Sequence, residues 1–443
     1  MTIDSFILLQ MVIASVVAVG LYTIIGIIPG TDETSVLVPV TAVLFVLGIE
    51  PVVILTFFIA SIVALNLTDS IPTALTSIPG GVMSTPLVES SQHLKSRGLT
   101  TSSIRKMTMG SVIGTLVAIP MALIIILIVK LITTHTSFDL ENFVKSYTGQ
   151  IFFIGAIVLS LLSKKKIISL ISVIPFALLI ALAKHIHPIS NTPFFLSITS
   201  GPLVASLFLL IIPKYHKASI VKGNQDIEIE IDSDEKINLL TIVTPDEIKR
   251  SVISSILASL TFFLSPVGMT LLIGESVNNN IEDKDRRAQS KVTSMNAVAN
   301  AAYLAGIMIS LLAFKIPISP AAIGPGAKLF EVGSPILDLS FNTALVAIIV
   351  GAVIALIITA YLSLKYASKM TNLVFRYVSQ EAVLILLLTL VTLLVYLDAG
   401  FIGIISILIV SFISGLLNKV GVTYGVQFMA LYASPFIVSL LGL

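Results

Sequence analysis

The chain has 443 residues, of which 56% are hydrophobic and only 11% are charged, and its mean hydropathy is +1.04. Soluble domains carry about 25% charged residues, so this composition excludes a protein that mostly faces water. A net charge of +2 gives no support for nucleic-acid binding, and the absence of cysteine excludes disulfides, thiol catalysis and cysteine metal sites.

Apolar stretches of about 20 residues recur along the chain, and this length crosses a hydrocarbon core of about 30 Å. Lipid offers the backbone no hydrogen-bond partners, so these stretches predict helices. The first one lacks a basic segment before it and a cleavage site after it, which indicates a retained helix rather than a signal peptide. The predicted segments are 6–28, 35–48, 50–66, 107–131, 148–163, 167–184, 194–213, 250–273, 292–314, 340–364, 378–397, 401–416 and 424–443.

A polar stretch at 214–249 divides the chain and predicts a cytoplasmic linker between an N-terminal membrane half, 1–213, and a C-terminal membrane half, 250–443. It can equally be a solvated loop with no role of its own. The positive-inside rule places four basic groups together in the cytoplasm. These groups are Lys95, Arg97, Arg105 and Lys106; Lys164, Lys165 and Lys166; Lys214, Lys217 and Lys222; and Lys365, Lys369 and Arg376.

Each half contains two proline interruptions at almost the same interval. Pro29 and Pro79 lie 50 positions apart, and Pro266 and Pro317 lie 51 apart. Proline removes a backbone donor and breaks a helix, and in a membrane such breaks persist only beside protein or a watery cavity. The pairing predicts two pseudo-symmetric, inverted repeats whose broken helices meet near mid-membrane and bind a solute. The alternative is that these prolines merely kink their helices.

Polar residues cluster around these interruptions. We expect Asn66, Asp69, Ser70, Asn296 and Asn300 to face one cavity, although asparagines can also merely tie helices together. An ionisable group at membrane depth is costly, so Asp69 is the candidate for coupling to Na⁺ or H⁺; alternatively it caps the helix beginning near Ser70. The candidate solute-binding residues are Pro29, Gly30, Asn66, Ser70, Ser77, Pro79, Gly80, Asn296, Asn300 and Pro317.

These motifs resemble the large membrane (permease, TctA-like) subunit of the tripartite tricarboxylate transporter family. The family's Gly-x-x-Pro-Gly motif is matched by 26–30, and its later motifs by Ile71, Pro79-Gly80, the polar segment from Glu89 to Gly98, Asn300-Ala301-Ala302, Gly306 and Ile316-Pro317. Departures indicate a divergent branch. Thr68-Asp69 replaces paired glycines, Ile318 replaces a glycine, and Ser265-Pro266-Val267-Gly268 replaces the second-half Pro-Gly motif.

The resemblance implies a permease for a small carboxylate in the cytoplasmic membrane, working with a small membrane subunit and a solute-binding protein. No phosphate-binding loop for ATP is recognisable, so ion coupling is expected for this secondary transporter. Alternatives are a transporter of amino acids or other zwitterionic or cationic solutes, a channel, or an intramembrane enzyme. No cofactor or metal site is expected, since His185-Ile186-His187 is more typical of a polar loop than of a metal site.

The predicted fold class is therefore an all-α polytopic membrane protein of about 10–13 transmembrane or re-entrant helices, in two pseudo-symmetric halves with broken helices.

Overall fold

A computed structural model describes most of the chain. The described residues are 4–28, 33–76, 80–81, 83–135, 143, 146–163, 165–186, 194, 197–198, 201, 204–205, 208, 242–264, 266–331, 333–377 and 380–442. Every regular element among them is helical. The prediction of an all-helical multi-pass membrane protein is confirmed. The greater part of the predicted linker, 214–241, lies outside the described residues, and the division into two halves stays a prediction.

Fifteen helices make up the described fold. They are α1 (Ser5–Ile27), α2 (Glu33–Val46), α3 (Pro51–Thr68), α4 (Ser70–Thr76), α5 (Val88–Ser96), α6 (Thr100–His135), α7 (Thr148–Leu162), α8 (Lys166–Ile186), α9 (Pro245–Leu260), α10 (Pro266–Asn278), α11 (Lys284–Ile309), α12 (Pro320–Ile323), α13 (Phe341–Tyr377), α14 (Gln380–Lys419) and α15 (Tyr424–Leu441).

Eight helical stretches of the described chain are long and apolar enough to cross a membrane. Two of them are almost wholly surrounded by protein. In Pro51–Leu75, 94% of the most apolar window is buried, and in Lys284–Phe314 the share is 89%. In the other six the share lies between 28% and 50%, which leaves a broad apolar face for lipid. The two stretches therefore form the centre of the molecule.

Local sequence signals explain where several helices begin. Pro51 opens α3 at a position where the missing N–H would have no helical partner. Asp283 caps α11, because its carboxylate accepts the backbone N–H of Arg286 at 2.7 Å. Thr244 and Glu247 form a reciprocal capping box at the start of α9.

Helices α6 and α11 pack unusually closely. A methyl group on Gly110 would overlap the backbone carbonyl of Thr293, and one on Gly114 would overlap the backbone carbonyl of Ala297. Gly114 follows Gly110 by four residues, and Ala297 follows Thr293 by four residues, so the two helices run parallel. Because α6 precedes the predicted linker and α11 follows it, this contact joins the two predicted halves.

The structure revises several predicted segment boundaries. The predicted span 250–273 is two helices, α9 and α10, separated at 261–265 directly before Pro266. The predicted gap between the segments 378–397 and 401–416 is a kink at Gly400 (φ 61°, ψ −156°), where two helices within α14 meet. Near Pro317, α11 loosens into a π-helical turn, Ser310–Phe314, and Lys315 takes a left-handed conformation (φ 55°).

In the first half the helices end close to the predicted interruptions. Helix α1 ends at Ile27 and α2 begins at Glu33, and α4 ends at Thr76. The residues at the interruptions, Pro29 and Pro79, lie outside the described residues. Pseudo-symmetry between the halves and convergence of the four interruptions stay predictions.

Candidate functional site

The polar residues singled out from sequence lie on the two helical stretches that are shielded from lipid. Asn66 and Asp69 are each 2% exposed, Ser70 and Asn296 are each 1% exposed, and Asn300 is 3% exposed. A one-residue interruption at Asp69 separates α3 from α4, yet its backbone stays close to helical (φ −64°, ψ −21°). Asn66 and Ser70, four residues apart, therefore share one face.

Asn296 connects three helices. Its side-chain amide donates to the backbone carbonyl of Met107 at 2.8 Å, to the hydroxyl of Ser111 at 2.7 Å and, at 3.5 Å, to the hydroxyl of Ser70. One turn further along α11, the amide of Asn300 also donates to Ser111, at 2.9 Å. The structure thus brings Ser70, Asn296 and Asn300 together. Ser111 accepts from both asparagines, and Ser70 accepts from Asn296.

Asn66 and Asp69 differ from these residues because they have polar atoms without partners. Both side-chain atoms of Asn66, Oδ1 and Nδ2, and the Oδ2 atom of Asp69 are buried and have no hydrogen-bond partner. A buried polar group without a partner costs about 1–3 kcal/mol, and an ionised one costs more. These atoms are therefore the strongest candidates for contact with a solute or an ion.

A fourth buried asparagine shows the structural alternative. The amide of Asn278 donates to the carbonyl of Gly274 at 2.7 Å and to the hydroxyl of Ser294 at 2.8 Å. Its Oδ1 atom accepts from Ser290 at 2.5 Å. Asn278 is completely occupied in tying α10 to α11, so it has nothing left to offer a ligand.

The turn after α4 folds back onto Asp69. The backbone N–H of Gly80 donates to the hydroxyl of Thr73 at 3.0 Å, and that hydroxyl donates to the carbonyl of Asp69 at 3.4 Å. A methyl group on Gly80 would overlap the same carbonyl. Glycine is needed here because the two backbone segments approach so closely. Gly80 thus supports the position of Asp69 through the backbone.

The remaining predicted site residues fall elsewhere. Pro29, Gly30, Ser77 and Pro79 lie outside the described residues. Pro317 is buried, in a loop whose Ser319 packs against Gly306. Gly306 follows Asn300 by six residues, or about 9 Å along α11. Pro317 therefore lies further along the central helix than the polar cluster, and a role for it in solute binding stays a prediction.

Sequence reasoning missed Ser111. Hydroxyls in membrane helices usually bond to their own backbone, so a single serine in the apolar segment 107–131 gave no signal. A pattern was nevertheless present, because Thr108, Ser111 and Thr115 recur at helical spacing on α6. All three are buried, and the hydroxyls of Thr108 and Thr115 have no partner.

Two charged contacts link the predicted N-terminal half to later parts of the chain, since Glu247 falls within the predicted linker and Asp285 within the predicted C-terminal half. The ammonium of Lys106 on α6 donates to both carboxylate oxygens of Glu247 on α9, at 2.7 and 2.6 Å, and both side chains are 7% exposed. Asp285 at the start of α11 pairs with His93 (2.7 Å) and Arg97 (3.0 Å) in a half-exposed cluster. The hydrogen bonds to Asp285 raise the pKa of Arg97 further above its usual value.

The described residues contain no group of three His, Asp or Glu side chains that could hold a metal ion together. Within the described residues, a cation at Asp69 would therefore be held by at most two His, Asp or Glu side chains, with neutral oxygens completing its coordination. Whether the polar cluster and the Asp69 turn line a single cavity stays a prediction.

The comparison with protein families gives one match. The model described as the tripartite tricarboxylate transporter TctA family matches residues 12–426, which is nearly the whole chain. No curated protein and no solved structure matches the chain significantly.

Proposed function

Since the match spans almost its full length, the chain belongs to the tripartite tricarboxylate transporter TctA family, and we propose that it is the ion-coupled permease for a small carboxylate. The family identifies it as a membrane transporter subunit. The proposed partners are a small membrane subunit and a solute-binding protein, as the family's tripartite name describes. The proposed location is the cytoplasmic membrane.

The observation that carries the proposal is the pairing of polar side chains across the two lipid-shielded helical stretches. Hydrogen bonds link Ser70 on α4 and Ser111 on α6 to Asn296 and Asn300 on α11, and the unpartnered amide of Asn66 lies one turn before Ser70 on the same face. Amide and hydroxyl donors suit a carboxylate, and they carry no fixed charge that would trap it. Such a site can both bind the solute and release it.

Asp69 supplies a reason for ion coupling. An anionic solute next to a buried carboxylate is repelled by several kcal/mol unless a cation or proton neutralises the pair. Binding of Na⁺ or H⁺ at Asp69 would therefore raise affinity for the solute, and the solute would raise affinity for the ion by the same factor. This reciprocity lets an ion gradient drive accumulation.

A zwitterionic solute, such as an amino acid, is the second candidate. The unpartnered Oδ2 atom of Asp69 favours it, because an ammonium group could pair with that oxygen while the amides bind the carboxylate. A zwitterion would then need no coupling ion at Asp69. The two candidates thus predict different effects of Asp69→Asn: loss of gradient-driven accumulation for a carboxylate, and loss of binding for an amino acid.

The test is uptake by proteoliposomes that contain the purified chain, with and without a small subunit and a solute-binding protein of the family. Labelled dicarboxylates, tricarboxylates and amino acids are offered under an inward Na⁺ or H⁺ gradient. We expect concentrative uptake of a carboxylate that ends when the gradient is collapsed. Gradient-independent uptake, or uptake of none of these solutes in any combination, contradicts the proposal.

Asn66→Leu and Asn278→Leu form a matched pair for this assay. Replacing Asn66 removes only unpartnered polar atoms, so the fold should keep its stability while uptake falls at least about tenfold. Replacing Asn278 leaves Ser290 and Ser294 without their partner, so stability should fall by about 1–3 kcal/mol. Normal uptake by Asn66→Leu contradicts a solute-contacting role for that residue.

A further inference from the structure

Asn66 and Asp69 together form an unfilled group of oxygen donors. They lie three residues apart at the end of α3, so their side chains leave the helix on neighbouring positions. Oδ1 of Asn66 and Oδ2 of Asp69 are buried without partners. None of the ion pairs found in the described part of the chain includes Asp69.

Burial of an unpaired carboxylate is too costly to be a resting state. The penalty is several kcal/mol, so the charge must be neutralised by a proton or by a cation. A proton also neutralises Asp69, and it would let the carboxyl donate a single hydrogen bond. A metal cation can coordinate a carboxylate oxygen and an amide oxygen at the same time, and thereby accounts for both residues.

The charge of the donor group limits which cation fits. Ca²⁺ sites use several carboxylates, and zinc sites use histidine, cysteine or acidic ligands in threes and fours. The described residues offer no group of three or more such ligands, and the single negative charge of the Asp69 carboxylate matches a monovalent cation. Neutral oxygens complete the coordination of hard monovalent ions in membrane transporters.

The surrounding turn is built to hold the carboxylate in place. Gly80 packs against the carbonyl of Asp69, and Thr73 bonds both segments. The carbonyls of Ala64 and Leu67 accept the hydroxyls of Thr68 and Ser70 at 2.8 and 3.1 Å. These contacts occupy the neighbouring hydroxyls. Oδ1 of Asn66 and Oδ2 of Asp69 therefore remain as the oxygens that can coordinate a cation.

We propose that Asn66 and Asp69 bind one Na⁺ ion, and that this ion provides the positive charge that the solute carboxylate meets at the end of α3. The second clause rests on the proposed function, whereas the binding site itself does not.

The test measures ion binding without any solute. The purified chain is titrated with NaCl, with choline chloride matching ionic strength, and radioactive Na⁺ binding is read alongside thermal unfolding by far-UV circular dichroism. We expect saturable binding of one Na⁺ per chain and stabilisation that rises with its concentration. Asp69→Asn should abolish both, and Asn66→Leu should weaken Na⁺ binding at least about tenfold.

Glu275→Gln is the matched control, because Glu275 is a half-exposed acid paired with Lys291 on the surface. It should bind Na⁺ like the unaltered chain. An equal response to choline, stabilisation by low pH alone, or undiminished Na⁺ binding by Asp69→Asn overturns the site. Because no solute is present, these outcomes are independent of uptake: a chain that binds Na⁺ but transports no carboxylate refutes only the proposed function.

Discussion

Replacing Lys106 by methionine leaves the Glu247 carboxylate buried without its cation. The two side chains are each 7% exposed and meet at 2.6–2.7 Å, although 141 positions separate them in the chain. Glu247 also accepts the backbone N–H of Thr244 at 2.8 Å in the capping box of α9. Glu247→Gln keeps that capping capacity and removes only the charge, so the pair can be dissected charge by charge.

The expected magnitude follows from the burial. Removing one member of a buried ion pair costs about 3–5 kcal/mol, because the other charge stays buried alone. Unfolding entropy is about 2.1 cal/mol/K per residue, which for 443 residues gives about 0.9 kcal/mol/K. Lys106→Met and Glu247→Gln should therefore each lower the apparent Tm by about 3–5 °C. The double variant Lys106→Met/Glu247→Gln buries no charge and should recover most of this loss.

Far-UV circular dichroism is the appropriate assay, since the chain contains no tryptophan and no cysteine for fluorescence or thiol-dye methods. Lys291→Met is the control, because its partner Glu275 is about half exposed and the pair is worth about 1 kcal/mol or less. Single variants no less stable than this control, or a double variant as unstable as the sum of the singles, would refute the assignment of a coupled buried pair.

Two further perturbations test the packing between the predicted halves. Gly110→Ala places a methyl group against the backbone carbonyl of Thr293, so it should destabilise the fold by about 1–3 kcal/mol. Gly20→Ala is the control, because its methyl group meets open space in α1 and should be neutral or slightly stabilising. Equal melting temperatures for the two variants would contradict the close approach of α6 and α11. Asp285→Asn weakens a half-exposed cluster with His93 and Arg97 and should lower the melting temperature no more than Lys291→Met does, so a loss as large as that of Lys106→Met would show that this cluster is buried in solution.

The sequence predicts the fold class because hydrophobic stretches of membrane length are a strong signal. It also identifies Asn66, Asp69, Asn296 and Asn300, since a polar residue within such a stretch is costly in lipid and therefore stands out. It cannot identify Ser111, whose hydroxyl looks like any other serine on an apolar helix. Here the missing information was the partner helix, because the neighbours of Ser111 lie 185 to 189 positions away.

Segment boundaries failed for a different reason. The apolar run 250–273 has the composition of a single span, but α9 ends at Leu260 and α10 begins at Pro266, at the interruption predicted from that proline. At Gly400 (φ 61°, ψ −156°) a kink joins two helices within Gln380–Lys419. Composition within a window does not distinguish these outcomes, because each depends on whether neighbouring helices satisfy the freed backbone groups.

From sequence, each buried asparagine can either hydrogen-bond two helices together or contact the solute. The number of side-chain atoms without a hydrogen-bond partner indicates which role each asparagine suits. Asn278 has every polar atom engaged, and Asn66 has none engaged. The amide of Asn296 already holds α6 beside α11 through Met107 and Ser111. A solute that takes bonds from Asn296 must loosen that tie between the predicted halves, whereas one that binds Asn66 breaks nothing. Under the proposed function the two residues therefore suit different roles. Asn66 suits direct contact with the bound ion or solute, and Asn296 suits a change at the α6–α11 interface when a solute binds.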